Sequence, residues 1–202
     1  KLNWRALVGV LMIVLGVLAM LQTLNLVTFE GDIWLWVFAA IFAVVGVGFL
    51  YVLFRGPPEN WWAAIPGFTL LGLGTMMILL GVPEIKGDWP VSIFMGSIGL
   101  SFIVVFLLDR SRWWAIIPAG SVLSIALMLL LPDLGGWTPS ILFFGMAVTF
   151  GLVALMGKSK LDWAWIPAVA LLGLGAFIPA VEGSMPWIIW PVVLIVVGAY
   201  LI

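Results

Sequence analysis

All eight cations and nine carboxylates of this 202-residue chain fall in short gaps. The gaps leave eight charge-free runs, 6–29, 33–54, 60–83, 89–108, 113–132, 134–157, 163–181 and 183–202. At a helical rise of about 1.5 Å per residue, each run is long enough to cross a hydrocarbon core roughly 30 Å thick. Each run therefore reads as a transmembrane helix. The expected fold class is all-α, a polytopic integral membrane protein of eight transmembrane helices in one transmembrane domain spanning 1–202.

Composition supports the reading. The chain is 65% hydrophobic and 8% charged, with a mean hydropathy of +1.31, far from the roughly 25% charged content of a soluble domain. A membrane β-barrel would alternate apolar and polar residues over segments of about ten residues. Leu11–Leu21 and Ile103–Leu108 are instead continuously apolar. The first run follows Lys1 and Arg5, exceeds the usual signal-peptide apolar stretch and lacks a small-x-small site near Gln22–Val27. It reads as a retained first helix.

The charges also imply an orientation. Lys1, Arg5, Arg55, Arg110, Arg112, Lys158 and Lys160 share one side with only Glu59, Asp109 and Asp162. Lys86 faces Glu30, Asp32, Glu84, Asp88, Asp133 and Glu182 on the other. Short cytoplasmic loops retain Lys and Arg during insertion, so this bias places both termini in the cytoplasm. Arg55, Arg110, Arg112, Lys158 and Lys160 are the candidate contacts for anionic lipid headgroups.

The thirteen tryptophans cluster near the run ends. Trp61, Trp62, Trp113, Trp114, Trp163 and Trp165 lie on the basic side, with Trp4. Trp34, Trp89, Trp137 and Trp190 lie on the acidic side, with Trp36 and Trp187. An indole joins a large apolar ring to one N–H donor, so these residues are expected to form interfacial anchor belts. They also mark an internal repeat. Trp61-Trp62-Ala63-Ala64-Ile65-Pro66 returns as Trp113-Trp114-Ala115-Ile116-Ile117-Pro118 and as Trp163-Ala164-Trp165-Ile166-Pro167. Leu70-Leu71-Gly72-Leu73-Gly74 returns as Leu171-Leu172-Gly173-Leu174-Gly175. The expected unit is a helical hairpin of about 50 residues, repeated four times at approximately 1–56, 57–109, 110–158 and 159–202. Pro66, Pro118 and Pro167 are expected to start helices, and Pro179 to end one.

Helices in lipid associate through close approach at small residues. Gly9 and Gly16, Gly46 and Gly48, Gly72 and Gly74, Ser92 and Gly96, Ser97 and Ser101, and Gly173 and Gly175 are therefore expected at tight helix pairs. Span hydroxyls are expected to bond their own backbone one turn earlier.

The same pattern removes much chemistry. No Asp, Glu, Lys or Arg lies within a run, and the chain has no His or Cys. Ion-coupled transport usually needs an intramembrane ionisable group. Metal or haem ligation by imidazole or thiolate is excluded, and no serine has a His to activate it. No catalytic, cofactor-binding or metal-ligating residue is assigned, and no nucleic acid is expected as a partner.

The phrases Trp-Trp-Ala-Ile-Ile-Pro-Ala-Gly at 113–120 and Trp-Pro-Val-Val-Leu-Ile-Val-Val-Gly-Ala-Tyr at 190–200 resemble the Trp/Pro-rich helical hairpins of small bacterial membrane proteins. These include the transmembrane region of LiaF-like envelope-stress proteins. The resemblance covers the hairpin unit and brings no catalytic residue. The expected function is that of a noncatalytic scaffold, accessory subunit or membrane-stress sensor. It would work through intramembrane packing against the lipid bilayer and other membrane subunits, with oligomer formation open to it. The alternative is a channel or facilitator for a small neutral or lipidic molecule.

Overall fold

The computed structural model describes residues 33–85, 87–156 and 159–184, with eight further positions between 12 and 24; for 159–160 and 180–184 it describes the backbone only. The first run, 6–29, thus lies largely outside the described residues, and the eighth, 183–202, almost wholly so. The described elements are helices, with no strand among them. They are α1 (Ile33–Arg55), α2 (Ala64–Leu80), α3 (Trp89–Leu108), α4 (Ile116–Leu130), α5 (Thr138–Leu155) and α6 (Trp165–Ser184). With their leading turns, all six are long and apolar enough to cross a membrane.

Helix starts follow from local chemistry. Short 3-10 turns at Trp61–Ala63 and Trp113–Ala115 lead into α2 and α4, and Ser159–Ala164 leads into α6. The Ala64 N–H bonds the Trp61 carbonyl, and the Ile116 N–H bonds that of Trp113. Where bonding passes from i→i−3 to i→i−4, one carbonyl would accept twice, so a proline just inside the α-helix leaves no acceptor unserved. Pro66, Pro118 and Pro167 each occupy the third residue of their helix. Gly87 and Gly135 adopt positive φ, 82° and 57°, and turn the chain ahead of α3 and α5.

Pro179 departs from the sequence expectation. It does not end α6, which runs through it to Ser184. Proline removes one N–H and crowds the carbonyl four residues back. Continuing the helix loses that one bond and keeps the ones that follow it, whereas ending there would give up several.

Each described helix packs on its neighbours in sequence, α1 on α2, α2 on α3 and so on to α6, and on no helix further away to comparable extent. The result is a row one helix thick. Between 17% and 28% of each span is buried; the outer helices α1 and α6 are the most exposed, while on α4 Leu127 is the one exposed residue. On α1, Val44 is 72% exposed; on α6, Ile166 is 75% exposed.

Two kinds of seam alternate along the row. The first is a seven-residue spacing of small buried residues. Ala39, Gly46 and Leu53 on α1 meet Gly67 and Gly74 on α2. Ser92 and Gly99 on α3 meet Ala119 and Ala126 on α4. Ser140, Ala147 and Ala154 on α5 meet Leu161, Ala168 and Gly175 before and along α6. Seven residues return to nearly the same helix face, the geometry that lets backbones run side by side. The fit is close: a Cβ on Gly46 would lie 3.0 Å from both the Gly67 carbonyl oxygen and the Leu71 amide nitrogen, and one on Gly74 would lie 2.9 Å from the Ala39 carbonyl oxygen.

The second kind sets a hydroxyl into a glycine. A Cβ on Gly72 would occupy the place of the Ser97 side chain, one on Gly120 that of Thr149, and one on Gly145 that of Ser124. These seams join α2 to α3 and α4 to α5. Each hydroxyl donates to its own helix: Ser97 to the Phe94 carbonyl at 2.7 Å, Ser124 to Gly120 at 2.6 Å and Thr149 to Gly145 at 2.7 Å. The polar atom is thereby satisfied before the helices meet.

Residues two apart on a helix point about 200° apart. Gly72 and Gly74 therefore serve different neighbours, α3 and α1. The expectation of a tight pair at both members fails elsewhere for the same reason. Gly48 and Gly173 meet nothing within 4 Å among the described residues, while Gly46 and Gly175 lie in seams; Gly96, one turn from the buried Ser92, also meets nothing. Gly9 lies outside the described residues.

Not every hydroxyl bonds its own helix: Ser140 is buried without a hydrogen-bond partner among the described residues, Thr138 donates to the Pro132 carbonyl of the preceding loop, and Ser92 reaches another helix. The Ser92 Oγ donates to the Ala126 carbonyl of the next helix at 2.7 Å. Ser92→Ala is expected to destabilise the α3–α4 pair by about 0.6 kcal/mol, the average for hydrogen bonds between membrane helices. Ser101→Ala, which removes a bond to the Ile98 carbonyl of its own helix, is expected to cost less. Unfolding of the two variants in micelles compares them.

Candidate functional site

A row of this kind offers two broad faces, two ends and the hollows between ridges. The end that carries the α1–α2 and α3–α4 loops holds Arg55, Glu59, Asp109, Arg110 and Arg112. The opposite end holds Glu84, Asp88 and Asp133.

At the basic end each described arginine lies over an aromatic ring. Arg55 sits 4.8 Å from the Tyr51 ring centre and Arg110 sits 4.7 Å from that of Phe106, each one turn back on its own helix. Arg112 lies 4.8 Å from the Trp61 ring centre, across the α3–α4 loop from α2. A guanidinium over a ring face gains from the ring quadrupole while its stem covers apolar surface. Of the five candidate headgroup contacts, these three are arranged at one end of the row. Lys158 lies outside the described residues, as does the side chain of Lys160.

Arg112 is further fixed by Asp109, Nη2 to Oδ2 at 3.4 Å. Hydrogen bonds from the Ser111 hydroxyl and amide, the latter at 2.9 Å, hold the Asp109 carboxyl below its usual pKa, and Arg112 adds to the effect. Arg110, next in sequence, makes no ion pair among the described residues.

The tryptophans sit where helices begin. The Trp61 and Trp114 rings meet edge to face at 6.1 Å, and Trp114 also meets Phe102 at 6.4 Å. Trp62 contacts Phe49 at 6.0 Å, and Trp163 contacts Phe150 at 6.1 Å. Trp113 packs beside Val153 and Leu161, while Trp165 is exposed. At the other end Trp34 faces Phe38 at 6.2 Å, Trp137 is exposed, and Trp89 lines a shallow hollow with Glu84 and Ile85. Trp190 lies outside the described residues.

A hollow that sequence reasoning missed runs along α4. Its part nearer the basic end, about 170 Å³, is walled by Ile103 and Phe106 of α3, Ile116 of α4 and Leu152 of α5. An adjoining part of about 450 Å³ continues past Leu127 and Ile141. Gly120, Leu123 and Thr149 line both parts. The walls are almost wholly apolar and the hollow opens to the side of the row. It exists because three successive helices are held close at Gly99, Gly120 and Gly145, a relation that no single span reveals.

Among the described residues no group of His, Cys, Asp or Glu is placed to hold a metal ion. No family model matches the chain, and no curated protein or solved structure is matched by it.

Proposed function

We propose that the chain is a noncatalytic integral protein of a bacterial cytoplasmic membrane, a scaffold or accessory subunit that docks other membrane proteins against its broad faces. In this reading eight helices form four tandem hairpins, both termini are cytoplasmic, and the tryptophans anchor both interfaces. The 3-10 turns followed by a proline at the third helix position in α2, α4 and α6 support the repeat, and the three ring-stacked arginines at one end support the orientation.

One observation carries the reading: each described helix packs chiefly on its neighbours in sequence. A bundle encloses an interior in which a site can form, whereas a row one helix thick offers its faces. Those faces are apolar at mid-depth, where only lipid or another membrane helix is a compatible neighbour. A membrane-stress sensor would use the same faces. The facilitator reading needs a continuous polar passage, and the hollow along α4 is apolar and opens sideways.

Photoreactive residues at Val44 and Val148, exposed on α1 and α5, test the proposal in native membranes. The expected result is crosslinking to a membrane protein that also co-purifies in fixed ratio in mild detergent. Solute movement or catalytic turnover by the purified chain alone in vesicles would contradict it.

A further inference from the structure

We infer that the hollow along α4 binds one acyl chain of an anionic diacyl phospholipid whose phosphate is held by Arg110. The inference goes beyond the scaffold reading and rests on the helices spanning a bilayer.

Length is the first argument. The hollow follows α4 from Ile116 to Leu127, about 16 Å at the helical rise and close to half of a roughly 30 Å hydrocarbon core. It therefore spans one leaflet, starting at the basic end.

Chemistry is the second. The hollow is apolar along its length and open to the side, so a chain enters from the bilayer without crossing a polar barrier. The third argument is the charge at its mouth. Phe106 forms part of the wall, and the Arg110 guanidinium lies 4.7 Å from that ring's centre. Its neighbour Arg112 is committed to Asp109 and Trp61, while Arg110 is exposed and makes no ion pair among the described residues. An apolar furrow one leaflet long with a free cation at its headgroup end matches an anionic lipid and offers a zwitterionic one less.

The test uses the full chain in nanodiscs of equal phosphatidylglycerol and phosphatidylcholine, released into detergent for native mass spectrometry. Wild type is expected to retain one phosphatidylglycerol. Arg110→Gln is expected to lower that occupancy about fivefold, the effect of one cation near the headgroups. Leu152→Trp, which fills the hollow from a side chain 54% exposed, is expected to lower it comparably. Val47→Trp, the same kind of enlargement at a 58% exposed position on α1 away from the hollow, should leave it unchanged. Equal retention of the two lipids, or wild-type occupancy in both Arg110→Gln and Leu152→Trp, overturns the inference, as does an equal loss in Val47→Trp. Chain that inserts normally yet retains no phosphatidylglycerol fails this inference alone and leaves the membrane reading intact.

Discussion

Replacing Gly46 by leucine is expected to destabilise the fold by about 3 kcal/mol, the upper part of the range for overpacking a tight contact. The same replacement at Gly48 is expected to be neutral or to stabilise by up to about 1 kcal/mol through helix propensity. The two glycines share a helix and an apolar setting but point about 200° apart. A Cβ at Gly46 meets the backbone of Gly67 and Leu71 at 3.0 Å, and backbone has no alternative rotamer to adopt. A Cβ at Gly48 meets nothing within 4 Å. Relief at Gly46 therefore requires α1 and α2 to separate along a seam that also holds Ala39, Leu53 and Gly74. Denaturant-induced unfolding of both variants in micelles measures the difference, and equal effects would remove the seam from the account.

The second large effect concerns an exposed position. Val44 lies at the midpoint of α1 and is 72% exposed. On a water-facing helix, Val44→Asp would change stability by no more than about 0.5 kcal/mol. At the centre of a spanning helix an aspartate costs about 3 kcal/mol to insert. We expect the larger cost, read as a fall in correctly inserted chain in a membrane-insertion assay. Phe54→Asp, also on α1 and 74% exposed but beside Arg55 at the helix end, should cost much less because the carboxylate reaches the headgroup region. Indifference at Val44 would contradict the bilayer reading directly.

Much of this architecture is legible in the chain. The charge gaps mark where α1 to α5 stop, because a formal charge must reach water, and the Trp-Pro phrases mark where α2, α4 and α6 start. The seams were also written in the sequence as Ala39–Gly46–Leu53, Ser140–Ala147–Ala154 and Leu161–Ala168–Gly175. Their seven-residue period is hidden when glycines are paired with their nearest neighbours, as Gly46 with Gly48 or Gly173 with Gly175. Gly72 and Gly74 show why: two residues apart is opposite sides of a helix. The path of α6 through Pro179 was less legible, since local propensity favours a stop and the bonds kept by continuing override it. The hollow along α4 was not legible, because Phe106, Leu123 and Leu152 become one surface only after three helices are set side by side.

The central claim is that the described helices stand in an open row, and the distance between its two ends tests it most directly. The chain has no cysteine, so spin labels can be placed singly at Val44 on α1 and Leu172 on α6, both exposed and near mid-span. Five steps of about 8–10 Å between neighbouring axes predict a separation beyond about 30 Å by double electron–electron resonance in nanodiscs. A distance well short of that, as in a closed bundle where α1 and α6 meet, would contradict the account.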